Sequence, residues 1–266
     1  MVPSVVVKVL HDQWRAVAIW TVLSGMFAAF YLSLYPSIGA VEEMRRLLEA
    51  MPPALRALFA AEGVDIGTPA GYLNVELFTF VVPLLVLAVA LTAAGAATAG
   101  EEERGTLELL LANPVRRWRI VVEKFAALAI VTAAVVAGIW VALALTAALA
   151  DIDLALDRVA AALASAGLLG LGGGTLAMAL GALTGSRMLS IGIALVASVA
   201  GFFVNALGPL VEWLDDWRWV SPHYHYIGYD PLANGLDLTH AAVLALLSLA
   251  FLAVAVVAFE RRDLHA

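Results

Sequence analysis

The sequence predicts an all-α membrane protein that crosses the bilayer six times, as a single transmembrane domain over residues 1–266. Two observations lead to this fold class. The chain is 63% apolar and only 14% charged, whereas a soluble domain is about half apolar and a quarter charged. The apolar residues are also grouped into runs of about 20 or more, the length at which a helix crosses a hydrocarbon core about 30 Å thick.

Six stretches reach this length, and they comprise residues 16–35, 73–99, 125–149, 159–185, 188–211 and 240–259. The first is too long for the core of a cleaved signal peptide, about 7–15 residues, so we expect it to be retained. Pro83 lies inside the second stretch. Proline lacks the N–H that an unbroken helix requires, so we predict a kink in the second span.

Lysine and arginine are distributed unevenly between the predicted spans. With the N-terminus inside, ten of the 15 basic residues fall in cytoplasmic segments. The positive-inside rule therefore predicts that both termini are cytoplasmic. The net charge is −7, and the sequence has no basic cluster of the kind that binds nucleic acid. It has no cysteine, which excludes disulfides and thiolate metal sites.

Three further segments carry weaker patterns. In residues 1–17 the polar residues at 4, 8, 12 and 15 and the apolar ones at 5, 9 and 14 are consistent with a surface helix leading into the first span. Residues 36–72 predict two short amphipathic helices on the outer surface, separated at Pro52-Pro53. Residues 212–239 are rich in tryptophan and tyrosine, which prefer the water–lipid boundary. Because Gly208-Pro209 loosens the end of the fifth span, we predict that the chain dips back into the outer leaflet before the sixth.

The loop between the second and third spans holds most of the cytoplasmic charge. Gly105 is suited to end the helix that leaves the membrane, and Thr106 to cap a short helix that runs to Ala112. Asn113 suits the end of that helix, and Pro114 suits the first position of the helix that enters the third span. The pattern predicts a short helix across the base of two spans, an arrangement suited to docking another protein.

Two segments of the chain match a known family. The first consists of Glu101, Glu102, Glu103, Arg104, Gly105, Thr106, Leu107, Glu108, Leu109, Leu110 and Leu111, followed by Asn113, Pro114, Val115, Arg117 and Lys124. This loop resembles that of the type 2 ABC transporter permeases. The second segment, residues 219–235, resembles the stretch that precedes their sixth span. With the six-span layout, the resemblance covers essentially the whole chain.

The resemblance implies a half-transporter that pairs with a second copy or a paralogue and docks two cytoplasmic ABC ATPase subunits. The loop residues 101–110, 113 and 114 would form the coupling helix held in a groove of the ATPase. ATP and Mg²⁺ would then be bound by that partner, and this chain would need no cofactor. Most members are exporters, so we expect a cell-membrane exporter. The apolar conduit favours a hydrophobic or amphipathic substrate such as a drug, a lipid or a natural product.

Several motifs also have plainer interpretations. Glu101–Glu103 could be a solvated charge run, and the arginines at 116, 117 and 119 could bind lipid phosphates. The glycines of residues 170–174 cannot form a phosphate-binding loop, because no glycine of the chain is followed by lysine. We predict instead that Gly170 with Gly174, and Gly181 with Gly185, allow close approach of helices.

A few polar residues are candidates for a role in or near the membrane. Glu76 lies beside Asn74 at the outer edge of the second span, where an interfacial position is the plainer interpretation. Asn205 lies deeper in the fifth span and either faces a substrate path or bonds a partner helix. His223 and His225 lie near Asp230, but they lack a convincingly spaced third ligand, so we expect no metal site.

Two functions of other classes fit part of the sequence. An ion-coupled carrier or channel usually places charged side chains at mid-membrane depth, and the six predicted spans have none there. A membrane scaffold that anchors a cytoplasmic partner without transport would also use a structured loop. An ATPase gene beside this one would favour the transporter.

Overall fold

A computed structural model describes residues 4–35, 65–97 and 116–261, together with residues 43, 46, 47, 50–52 and 55. The long helices of this part of the chain are α1 (Val5–Leu34), α3 (Val81–Ala97), α4 (Arg117–Leu149), α5 (Leu156–Thr184), α6 (Arg187–Leu207) and α10 (Leu238–Arg261). The short ones are α2 (Pro69–Leu73), α7 (Glu212–Asp215), α8 (Pro222–Ile227) and α9 (Pro231–Asn234). A π-helical turn (Asn74–Phe78) follows α2, and two 3₁₀ turns lie at Gly208–Leu210 and Arg218–Val220.

The all-α fold class is confirmed. Five helices are long and apolar enough to cross a membrane. A bent pair, residues 69–78 with α3, makes a sixth when it is counted as one span. These six lie where the sequence places its six apolar stretches. The predicted helices of residues 36–64 lie largely outside the described residues.

The kink predicted in the second span is confirmed. Its two halves are bent by 42° at a short break after Phe78, and Thr79 and Phe80 form the turn between them. In an unbroken helix the carbonyl of Thr79 would accept a bond from the nitrogen of Pro83, which has no hydrogen to donate. The Thr79 hydroxyl and amide both bond back to the carbonyl of Asn74, at 2.8 and 2.9 Å.

Two helix boundaries differ from the sequence prediction. Residues 5–34 form one uninterrupted helix about 45 Å long, so the segment predicted as a surface helix continues directly into the first span. Helix α4 begins at Arg117, because Arg116 has extended backbone angles. The prediction that Pro114 takes the first position of this helix is therefore wrong.

Helix α5 is the centre of the bundle. In its most apolar stretch 61% of the residues are buried, compared with 17% in the corresponding stretch of α6. It packs against α3, α4, α6 and α10, and against the short helices α8 and α9. Helix α1 packs mainly against α4. The segment between α6 and α10, residues 208–237, therefore lies on the central helix, and we call it the outer segment after the side predicted for it.

Glycine allows α5 to approach α3 closely, as predicted for Gly170 and Gly174. A methyl group on Gly170 would lie 2.5 Å from Cγ1 of Val86 and 3.3 Å from its carbonyl oxygen. One on Gly174 would lie 3.1 Å from the carbonyl oxygen of Ala90. Gly185 also ends α5, with a left-handed φ of 68°, and the close helix approach predicted for Gly181 with Gly185 stays a prediction.

Gly170→Ala should lower the free energy of unfolding by about 1–3 kcal/mol, because the new methyl group meets the backbone of α3, which cannot move aside as a side chain would. Gly192→Ala is the matched control, since a methyl group there meets nothing within 4 Å. That substitution should stabilise α6 by up to about 1 kcal/mol. Thermal unfolding of the purified chain in detergent measures both. Equal midpoints for the two variants would contradict the packing described for α5 and α3.

Candidate functional site

The predicted coupling residues Glu101, Glu102, Glu103, Arg104, Gly105, Thr106, Leu107, Glu108, Leu109, Leu110, Asn113 and Pro114 lie outside the described residues. The structure does describe the framework from which this loop extends. Helix α3 ends at Ala97, and α4 begins at Arg117. The candidate site is therefore the base of the loop, where these two helix ends meet the start of α1.

An apolar cluster joins the three helices at the base of the loop. Its buried members are Val5 and Val9 of α1, Ala97 of α3, and Ile120 and Ala127 of α4. This cluster is separate from the main core of the bundle. Because it holds the last residue of α3 beside the first turn of α4, the loop leaves and re-enters the bundle at neighbouring points.

Glu123 on α4 fastens the start of α1 to this cluster. Its Oε2 atom accepts hydrogen bonds from the backbone N–H groups of Val5, at 2.6 Å, and Val6, at 3.4 Å. Its Oε1 atom pairs with Nε of Arg119 one turn earlier, at 2.8 Å. The first N–H groups of a helix have no partner within the helix, and a carboxylate is favoured there by the helix dipole. The side chain of Glu123 is only 15% exposed.

Two other polar residues lie near this base. The side-chain amide of Gln13 on α1 donates to the carbonyl of Ala93 on α3, at 3.3 Å, so α1 is bonded to both helices that carry the loop. Lys124, one of the residues that match the permease motif, is buried. The sequence analysis did not single out Glu123 or Gln13. The only local signal was the i, i+4 spacing of Arg119 and Glu123.

The structure does not join the two residues proposed for a substrate path. Glu76 lies in the π-helical turn, half-buried, and Asn205 lies on α6. The break after the π-helical turn approaches α6 at the rings of Phe80 and Phe202, whose centroids are 5.7 Å apart. The Oδ1 atom of Asn205 is buried and has no hydrogen-bond partner among the described residues.

The outer segment is bonded to the break in the second span. The hydroxyl of Tyr226 on α8, which is fully buried, donates to the carbonyl of Phe78 at 2.6 Å. The side-chain amide of Asn74 donates to the carboxylate of Asp230, at 3.1 Å. The sequence analysis did not predict either bond. A helix break leaves backbone groups that need partners where water is scarce, and Tyr226 satisfies one of them.

The three outer histidines have different surroundings. Nδ1 of His225 lies 2.9 Å from Nδ1 of His240, and Nε2 of His225 lies 2.8 Å from the carbonyl oxygen of Trp219. Because a carbonyl oxygen only accepts hydrogen bonds, neutral His225 carries its hydrogen on Nε2 and donates it to Trp219. Nδ1 of His225 then accepts a hydrogen bond from Nδ1–H of His240. His223 instead lies buried with its ring against Phe202. Burial lowers the pKa of His223 to about 4.

The residues suggested as metal ligands do not converge. His225 pairs with His240, which the sequence analysis did not consider, and Asp230 bonds to Asn74. In the parts of the chain that the structure describes, no three histidine, aspartate or glutamate side chains form a group able to hold a metal ion. The histidines therefore contribute hydrogen bonds and ring contacts to the outer segment.

A comparison with known protein families identifies the family of this chain. The family model described as ABC-2 family transporter protein matches residues 10–264, nearly the whole chain. The chain belongs to the ABC-2 transporter family. None of the curated proteins matches it at significant similarity. As a member of this family it is a multi-pass membrane permease of an ABC transporter, the component that works with an ABC ATPase subunit.

Glu123→Gln should loosen the start of α1 from α4, because the bonds to Val5 and Val6 lose their charge. A bond to a charged group contributes about 1.5–3 kcal/mol, and partial exposure reduces this to about 1–2 kcal/mol. Such a loss corresponds to roughly a five- to thirtyfold change in a local opening equilibrium. Amide hydrogen exchange of residues 5–8 should rise by that factor while α5 stays unchanged.

Glu260→Gln, at an exposed position of α10, is the control and should leave the exchange of residues 5–8 unaltered. Unchanged exchange in Glu123→Gln would mean that the carboxylate does not hold the start of α1.

Proposed function

We propose that this permease exports a hydrophobic or amphipathic substrate from the cytoplasm, and that the loop at residues 101–114 couples it to the ATPase. The observation that carries the proposal is the apolar cluster at the base of that loop. The cluster packs the end of α3, the start of α4 and the start of α1 together. A force on the loop would therefore act on three spanning helices at once.

Coupling through this base would be a rigid-body movement. Glu123 bonds α1 to α4, and Gln13 bonds α1 to α3, so the three helices would move as one unit. Closure of the ATPase subunits around ATP would displace the loop and this unit with it. Close-packed helices transmit such a displacement because they pass between discrete arrangements rather than deforming continuously.

The substrate class is proposed from the chemistry of the bundle. The long helices are dominated by apolar side chains, and Glu76 and Asn205 are the polar residues that we propose for the path. The histidines and tyrosines of the segment between α6 and α10 would offer polar groups to a departing amphipathic molecule. An ion would need a continuous set of charged or carbonyl ligands instead.

The working assembly would contain two permease units and two ATPase subunits in the cell membrane. We expect a second copy of this chain or a paralogue as the partner unit. Both termini and the coupling loop would be cytoplasmic, following the distribution of lysine and arginine. ATP and Mg²⁺ would be held by the ATPase subunits.

Reversing two charges of the loop tests the coupling role. Glu101→Lys combined with Glu102→Lys should keep membrane expression normal, because these residues lie outside the apolar spans. If the two carboxylates face basic groups of the ATPase, the lysines place like charges together, which costs several kcal/mol. Association with the ATPase subunit that copurifies with the wild-type chain should weaken, and transport should be lost.

Glu42→Lys combined with Glu43→Lys makes the same change of charge on the predicted outer side and should leave ATPase association intact. Thr106→Ala should act differently, since a lost helix cap costs only about 1 kcal/mol. Equal ATPase binding and normal transport in both double variants would show that Glu101–Glu103 is a solvated charge run.

A further inference from the structure

An open groove of about 580 Å³ lies between α5 and α10, near the last turns of both helices. Helix α10 packs against α5, but small side chains leave a recess beside their contact. The lining residues are Ala182 and Leu183 of α5, with Ala253, Val254, Val257, Ala258 and Arg261 of α10. All of them except Arg261 are apolar.

The lining residues of α10 form one stripe along that helix. Positions 254, 257, 258 and 261 follow one another at the three- and four-residue spacings that place side chains on the same helix face. From residue 253 to residue 261 the stripe is about 12 Å long, at a rise of 1.5 Å per residue. Ala255 and Phe259 lie on another face, buried in the main core. The stripe is therefore directed away from the core while it adjoins α5.

Nothing in the described part of the chain covers the groove. Leu183 is 57% exposed, and Val254 and Val257 are each 46% exposed. In a protein that spans a bilayer, apolar side chains exposed to this degree are in contact with acyl chains or with another protein. The recess adds to this surface a place where one chain of a bound molecule can lie.

Arg261 places a positive charge at one end of the apolar groove. It lies exposed in the last turn of α10, and it is the only charged residue among the lining residues. The ion pairs found among the described residues do not include it. A guanidinium group matches a phosphate through two parallel N–H···O bonds. Basic pockets between spanning helices bind lipid headgroups in this way.

A second open groove, between α4 and α5, provides a comparison. Its volume is similar, about 560 Å³, and no charged residue is among its lining residues. The polar groups of Thr132 and Trp140, which also line it, are bonded to the backbone carbonyls of Leu128 and Leu156. This groove can accept an acyl chain but has no group that would select a headgroup.

We propose that the groove between α5 and α10 binds one glycerophospholipid, with an acyl chain along the stripe and the phosphate on the guanidinium group of Arg261. Arg261 lies in the last turn of a helix long enough to span the membrane, and the phosphates of a bilayer lie at the ends of its spanning helices. The lipid therefore matches both the apolar wall and the charge at its end. The proposal concerns a bound lipid rather than an exported substrate, and it does not depend on the loop at 101–114.

Selective retention of phospholipid by the purified full chain tests the site. The chain in detergent is equilibrated with equal amounts of dioleoylphosphatidylglycerol and dioleoylglycerol, which share their acyl chains but differ in the phosphate. Excess lipid is removed by gel filtration, and the bound lipid is quantified by mass spectrometry. The chain should retain phosphatidylglycerol preferentially. Arg261→Gln should lower that preference about fivefold, the effect of one arginine beside an anionic headgroup.

Matched variants separate the charge from the groove. Arg261→Lys keeps a point charge and should keep part of the preference. Arg116→Gln removes the same charge at an exposed position outside the groove and should change the preference less than twofold. Ala253→Leu should fill the groove and lower retention of phosphatidylglycerol at least threefold. Ala164→Leu makes the same change in the groove between α4 and α5 and should leave the preference unaltered.

Two results would overturn the proposal. One is an equal loss of preference in Arg116→Gln and Arg261→Gln, which would show a general attraction of lipid to positive charge. The other is retention of phosphatidylglycerol that is unaffected by Ala253→Leu, which would show that no acyl chain lies in the groove. If that variant instead lowers the share of dimer in the gel filtration, the groove is a contact with a second copy. Residues 116, 253 and 261 are all exposed, so these variants should fold.

Discussion

The close packing of α5 on α3 determines where the other spanning helices lie. Gly170 and Gly174 bring the backbone of α5 within methyl-group contact of Val86 and Ala90. Lipid provides little hydrophobic driving force between helices, so association depends on such close contact and on interhelical hydrogen bonds. With α5 fixed against α3, the helices α4, α6 and α10 pack around α5. The short helices α8 and α9 of the outer segment also pack against α5.

The two ends of the bundle use polar bonds for different purposes. At the base of the loop between α3 and α4, Glu123 ties the start of α1 to α4. At the outer end, Tyr226 and Asn74 hold the outer segment to the broken second span. The second span is therefore bonded toward its base through Ala93 and Gln13, and at its other end through Phe78 with Tyr226 and Asn74 with Asp230.

The sequence was sufficient for those features that depend on local composition. The spans follow from the lengths of apolar runs, the kink from the missing N–H of Pro83, and the contact of α5 with α3 from small residues four apart. The start of α4 was misplaced because Asn113-Pro114 is a good local signal, whereas the helix begins at Arg117 without any side-chain cap. Gly185 has the spacing of a packing residue, and it also ends its helix.

The contacts of the loop base and the outer segment could not be predicted from sequence. Glu123 and Val5 are 118 residues apart, and Tyr226 and Phe78 are 148 apart, so no local pattern relates them. His223 and His225 are two residues apart, yet one is buried and the other faces His240. Which histidine faces the core depends on how α8 is oriented on α5, and that orientation is determined by packing in the folded protein.

As a permease of an ABC transporter, this chain is expected to depend on a separate ATPase subunit for ATP hydrolysis. The most direct measurement is steady-state ATP turnover by the purified chain in nanodiscs, with and without the ATPase subunit that copurifies with it. The chain alone should show no turnover, because no glycine is followed by a lysine that could hold a phosphate. Turnover should appear once the subunit is added back. Sustained ATP hydrolysis by the chain after that subunit has been removed would contradict this expectation.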